Sequence, residues 1–300
     1  MKTMSAASTI SPMHSFQDNP SPDCGTLYIV ATPVGNLEDI TFRAVRILQE
    51  VFLIAAEDTR HSQKLLSHYN IATDTISCHE HNEQFRAAKL IPILQQGKDV
   101  ALITDAGTPC ISDPGFRLVT AVLEQNIRVV PIPGCCAVIA GLSAAGLPTD
   151  RFLFAGFLPK KQQQQVRAIK QLASRQATLV FYESPKRIRP LLDQLMAGLG
   201  DRQACLAREI TKIHEAFIRG PLSHIAARLD AAGRTRGECT LFVAGAAEKQ
   251  KLSRAELESV ILDGMAQGAV PTAGLAKEIS IRYSISRKMV YDTILQIKSR

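Results

Sequence analysis

The segment Leu102-Ile-Thr-Asp-Ala-Gly-Thr-Pro-Cys-Ile-Ser-Asp-Pro-Gly115 breaks an apolar run into two acidic turns. Gly107 and Gly115 permit unusual backbone angles, while Pro109 and Pro114 fix theirs and donate no hydrogen bond. A strand ending this way offers carbonyls, hydroxyls and carboxylates to a ligand. Leu27-Tyr-Ile-Val-Ala31 ends similarly in Thr32-Pro-Val-Gly-Asn36, and Phe52-Leu-Ile-Ala-Ala56 ends in Glu57-Asp-Thr-Arg-His61. Dissociable groups in these ends, and in the cluster His79-Glu-His-Asn-Glu83, suit proton transfer. Glu57, Asp58, His79 and His81 are the candidate bases. Arg60 could hold a phosphate or orient a carboxylate, and His61 completes the segment. Tyr182-Glu-Ser-Pro185 and Arg208-Glu209 end later apolar runs and face the same cleft if the topology follows.

Several chemistries are disfavoured. The single Gly35 cannot build a GxGxxG loop, and no GxxxxGK[ST] occurs, so dinucleotide and P-loop sites are not expected. Cys78-His-Glu-His81 with His61 or His68 lacks the paired spacing of zinc sites, so no metal is expected. The seven cysteines are scattered without a CxxC pair, which fits reduced thiols in a cytoplasmic enzyme.

Positioning such turns requires alternating strands and helices. Strands at 27–31, 52–56, 100–104 and 128–132 alternate with helices near 39–50, 61–69, 83–96 and 115–125, predicting a largely parallel sheet covered on both faces. A small apolar helix follows at Ala137–Ala145. Residues 147–160 read as a connection, after which the alternation repeats with strands at 177–182, 204–208 and 239–244. The expectation is α/β: two α/β domains, 25–146 and 147–246, with an interdomain cleft, plus a small C-terminal helical extension over 247–300 with a helix-turn-helix rhythm. Residues 1–24, rich in Ser, Pro and Thr, read as a disordered tail.

The net charge of +7 is a modest hint of an acidic partner. Basic residues cluster at Lys160, Lys161, Arg187 and Arg189, and again at Arg282, Arg287 and Lys288 in the extension. Such clusters suit a phosphate backbone, so they are the expected RNA contacts. No apolar stretch is long enough to span a membrane.

Taken together, Gly25-Thr-Leu-Tyr-Ile-Val-Ala-Thr-Pro-Val-Gly-Asn-Leu37, Ile54-Ala-Ala-Glu-Asp-Thr-Arg60, the two acidic turns, Phe181-Tyr-Glu-Ser184 and Gly237-Glu-Cys-Thr-Leu-Phe-Val-Ala-Gly245 resemble the tetrapyrrole methylase superfamily, and within it the branch that methylates small-subunit ribosomal RNA. The resemblance implies a homodimer of two-domain α/β subunits. It implies S-adenosyl-L-methionine as donor and a 2′-hydroxyl of a cytidine in the decoding region as acceptor. By position it assigns the donor pocket to Pro33, Asp105, Gly107, Thr108, Asp113, Cys136 and Ala137, with Leu158 and Thr240 closing it from the second domain. One departure is Pro133-Gly-Cys-Cys-Ala137, where the family usually has proline in place of Cys135. Methylation of a corrin precursor and a non-catalytic RNA-binding assembly factor are the competing readings.

Overall fold

The computed structural model describes residues 21–233, 236–247, 253–266, 271–283 and 285–299. Residues 1–20 of the expected tail lie outside the described residues. Ser21 to Cys24 are held down: Ser21 N–H donates to the Asn126 carbonyl at 3.1 Å, and Cys24 packs against the core.

The chain divides into two compact units at Gly245–Ala246. The first begins with β1 (Leu27–Val30), α1 (Phe42–Glu50), β2 (Leu53–Ala56), α2 (Thr59–His68) and β3 (Thr75–Ser77). It continues with α3 (Glu83–Gln95), β4 (Val100–Ile103), α4 (Phe116–Glu124), β5 (Val129–Ile132) and α5 (Ala137–Ala145). The five strands form one parallel sheet in the order β3-β2-β4-β1-β5. β2 and β4 are buried throughout, as their continuous apolar runs require between two helical layers. α1 and α2 cover one face through Ile47, Leu48 and Leu66. α3 and α4 cover the other through Leu90, Leu94, Leu118 and Val122. Adjacent strands β1 and β4 therefore lead into helices on opposite faces, which opens a crevice at their carboxyl ends. The predicted helix near 39–50 starts at Phe42, after a 3-10 turn over Leu37–Asp39, because the Thr41 hydroxyl caps it by accepting from Ala44 N–H at 3.1 Å.

The second sheet contains β6 (Phe152–Phe157), β7 (Thr178–Glu183), β8 (Gln203–Arg208), β9 (Ala216–Pro221) and β10 (Cys239–Val243), in the order β6-β7-β10-β8-β9. The expected strands and helices recur, interrupted by β9, but the pairing differs from the first sheet's: only β6 and β7 pair in parallel, and the other three pairings are antiparallel. The expected connection at 147–160 includes strand β6, and the unpredicted β9 forms an edge that its terminal Gly220-Pro221 closes. Helices α6 (Gln162–Leu172), α7 (Ile188–Leu199) and α8 (Leu222–Ala231) cover one face. The other face is covered by α5, whose Val138, Leu142 and Ala145 meet Val180, Cys205, Ala207 and Phe242. A helix that the sequence assigned to the first domain thus belongs to the second sheet's core. Gly141 allows it: a Cβ there would sit 2.5 Å from the Phe242 ring.

The second unit holds α9 (Arg254–Ala266), α10 (Thr272–Tyr283) and α11 (Arg287–Lys298) around Leu257, Ile261, Leu275, Ile279, Val290 and Ile294. No described helix is long and apolar enough to cross a membrane.

Candidate active site

The crevice between the two sheets of the first unit contains a cavity of about 450 Å³. Its floor is built from strand ends. Thr32, just past β1, and Gly107, past β4, exchange backbone hydrogen bonds of 2.8 and 2.9 Å, so the two loops form a small antiparallel bridge. Gly107 makes that turn with φ at +88°, in the region that favours glycine. The Thr108 hydroxyl donates to the Cys135 carbonyl at 3.0 Å, tying the loop after β4 to the loop after β5.

Three carboxylates converge on this floor. Glu57, at the end of β2, accepts from the Thr104 hydroxyl and from Asp105 N–H at 3.3 Å. Asp105 accepts from Asp58 N–H at 3.2 Å. Burial and the nearby Glu57 charge raise the Asp105 carboxyl above its ordinary range. Asp113 is pushed up to about 7 by burial, then by Glu57 and Asp105, against an opposing hydrogen bond with Thr104. Like charges brought out of water in this way bind a proton or a cation.

Among the expected donor residues, Asp105, Gly107, Thr108, Asp113, Cys136, Ala137 and Thr240 line the cavity. Two are not there. Leu158 is 5% exposed and packs in the core under α6 and α7, and Pro33 is buried beside Val34, which lines the wall instead. Both misses share a cause: adjacent residues in extended chain point to opposite sides.

Of the six candidate catalytic residues, Glu57 alone lines the cavity. Asp58 is the N-cap of α2, accepting from Arg60 N–H at 2.9 Å and His61 N–H at 3.4 Å, and these bonds hold its carboxyl below the usual range. Arg60 extends into solvent, 91% exposed, with a 3.4 Å ion pair to Asp58. His61 is exposed on the first turn of α2, close enough to Asp105 to favour its ionised form. His79 and His81 stand outside the cavity with ring centroids 6.1 Å apart, in a turn where Asn82 accepts from His79 N–H at 2.8 Å. Glu83 in the same cluster is a buried helix cap, accepting from Gly115 N–H at 3.1 Å and Leu118 N–H at 2.9 Å.

The basic residues divide between the units. Lys160 and Lys161 are exposed before α6. Arg187 pairs with Glu183 at 2.5 Å, and Arg189 pairs with Asp193 and Asp230 at 2.6 and 2.8 Å. Arg287 and Lys288 are exposed at the start of α11 in the other unit. Cavity-lining residues outside the expected donor set include Val34, Ser112, Phe157, Tyr182, Glu183 and Glu238. For Tyr182 and Glu183 a signal existed, since their segment ends an apolar run in polar residues.

The fold is a two-sheet α/β unit with a cavity at its strand ends. The solved structure of cobalt precorrin-4 methyltransferase, a cobalamin biosynthetic enzyme, superposes with a TM-score of 0.56 at 15% identity over 73% of this chain and 94% of that one, a likeness of fold. Residues 26–226 match the family described as Tetrapyrrole (Corrin/Porphyrin) Methylases, and the chain belongs to that family. It is 46% identical over 277 residues to ribosomal RNA small subunit methyltransferase I of Pseudomonas aeruginosa, covering 91% of this chain and 97% of that protein. It is 48% identical over 227 residues to the protein of the same name from Halalkalibacterium halodurans, covering 76% and 78%. The chain is accordingly a methyltransferase with S-adenosylmethionine as methyl donor.

Proposed function

We propose that this methyltransferase modifies small-subunit ribosomal RNA at the ribose 2′-hydroxyl of a cytidine in the decoding region. The observation that carries this reading is the identity of 46% along 91% of the chain with a protein named ribosomal RNA small subunit methyltransferase I. The cavity suits the donor on two counts. Its volume of about 450 Å³ lies in the range of small-molecule sites, roughly 300–1,000 Å³. Its carboxylate cluster suits a sulfonium bearing an ammonium group, because a cation relieves the repulsion that raises Asp105 and Asp113. Asp105, Asp113, Thr240 and the backbone at Gly107, Thr108, Cys136 and Ala137 would hold it.

The donor supplies an activated methyl group when bound. The chain must align the ribose oxygen and take up one proton. Alignment contributes about 7–11 kcal/mol at best, and a positioned base adds about 10²–10⁴-fold. Glu57 is the candidate base, because Thr104 and Asp105 fix its carboxylate on a rigid strand end facing the cavity. Lys160, Lys161, Arg187 and Arg189 in one unit, and Arg287 and Lys288 in the other, are the proposed phosphate contacts. A homodimer acting in the cytoplasm on the small ribosomal subunit completes the proposal.

Mass mapping of ribose methylation in small-subunit RNA, from a deletion strain with and without the restored gene, tests it. One 2′-O-methylcytidine is expected to vanish and return. An unchanged map would remove the catalytic reading and leave that of an assembly factor.

A further inference from the structure

The connection 209–215 between β8 and β9 is held in a conformation that its residues resist. Glu209 and Thr211 take φ of +51° and +65°, in the left-handed region that favours glycine, and Thr211 is β-branched. The neighbours impose this shape. Glu209 N–H donates to the Glu238 carbonyl at 3.0 Å, and Glu209 Oε1 accepts from Glu238 N–H at 2.9 Å. Lys212 Nζ pairs with Glu209 at 3.0 Å and with Glu238 at 3.2 Å. Thr211 N–H donates to Glu215 Oε2 at 2.7 Å. The Thr211 hydroxyl accepts from Asn36 N–H at 3.1 Å, which ties the loop to the turn after β1. Gly35 permits that approach, because a Cβ there would collide with the Lys212 side chain. Backbone strain persists only where the surroundings over-determine it, and it concentrates at functional sites.

This braced loop carries Ile213 at its tip, 97% exposed, followed by the exposed His214. Its other isoleucine, Ile210, is buried and lines the first cavity. Ile213 and His214 line a second, open hollow of about 600 Å³ together with Gly35, Asn36 and Thr211. The two hollows share a wall: Val34 and Ile210 face the first, and their chain neighbours Gly35 and Glu209 face the second. A strand lying in the second hollow can therefore reach over that wall into the first. An enzyme that modifies a nucleotide within folded RNA has to draw it out of the stack, and apolar side chains driven between base steps do this in nucleic-acid complexes. A rigid loop suits the task, because a wedge that yields separates nothing.

We infer that Ile213 is a wedge that inserts beside the target nucleotide and positions it, with the flanking RNA strand in the second hollow. The inference rests on the proposed function, since it names how the acceptor of that reaction is held.

Methylation of small-subunit RNA by the full chain is compared for the wild type, Ile213→Ser and Ile213→Leu. The side chain is exposed, so neither change disturbs the core. Ile213→Ser is expected to raise the KM for RNA by about 10- to 100-fold, and Ile213→Leu to restore it. The rise is expected to be equal at low and high salt, because no phosphate contact is lost. Affinity for S-adenosylmethionine, read by calorimetry without RNA, stays unchanged, as Ile213 does not line the first cavity. A 2-aminopurine placed beside the target is expected to brighten at saturating wild-type protein and to stay quenched with Ile213→Ser. An unchanged KM, a rise that disappears at high salt, or equal brightening by both proteins overturns the inference. A changed sedimentation of RNA-free Ile213→Ser overturns it too, by making the tip a contact with a second copy. Absence of methyl transfer by the wild type refutes the proposed function and the wedge with it, whereas transfer with an unchanged KM in Ile213→Ser refutes the wedge alone.

Discussion

Asp113 provides a quantitative test of the carboxylate cluster. Its carboxyl, ordinarily near 3.8, is lifted to about 7 in the free protein by burial and by Glu57 and Asp105. A bound sulfonium and ammonium would favour the ionised form, so donor binding is expected to expel a proton. If the bound carboxyl stays ionised throughout, affinity falls by about 30-fold between pH 8 and pH 5.5 from this group alone. About half a proton is released per donor bound at pH 7. The sign for folding is opposite to that of a salt-bridged carboxylate. A raised group stabilises the unliganded fold fully below its unfolded value, and that contribution is lost as pH rises through about 7. Isothermal titration calorimetry in buffers of different ionisation enthalpy reads the proton count. Asp113→Asn is the control: the donor's own ammonium titrates near neutrality with either protein, so the difference between them isolates Asp113. Equal pH slopes for wild type and Asp113→Asn would refute the convergence of charge on this floor.

Glu57→Gln is expected to lower kcat by about 10²–10⁴-fold at saturating donor and RNA, and a near-full rate would move the base elsewhere. Glu83→Ala leaves two buried N–H groups at the start of α4 without their acceptor. Urea unfolding is expected to show a loss of about 2–4 kcal/mol, and a loss below about 0.5 kcal/mol would contradict the cap. Removing residues 247–300 is expected to weaken binding to the small subunit and flatten its salt dependence, by roughly 0.7 in log–log slope for each lost contact with single-stranded RNA, while donor affinity stays unchanged. Full methylation by the truncated chain would make the extension a packing module.

The sequence by itself determined what is local. The strand ends at Thr32, Glu57 and Asp105 were legible because an apolar run closing in Gly, Pro and acidic residues leaves the chain few other conformations. Alternating strands and amphipathic helices likewise fixed the parallel first sheet. The antiparallel pairings of the second sheet were not legible, since β10 pairs with β7 and β8 across long separations while its own sequence reads simply as a buried strand. Side-chain roles were harder to read. Asp58, expected as a base, caps the helix that begins at the next residue. Glu83 caps a helix that begins more than thirty residues later, a role that nothing beside it in the chain reveals. Only tertiary structure brought Glu57, Asp105 and Asp113 within range of one another, and only burial made their mutual repulsion strong. Proton affinity is set by the dielectric and the neighbouring charges around a carboxyl, and neither is written in the residues beside it in the chain.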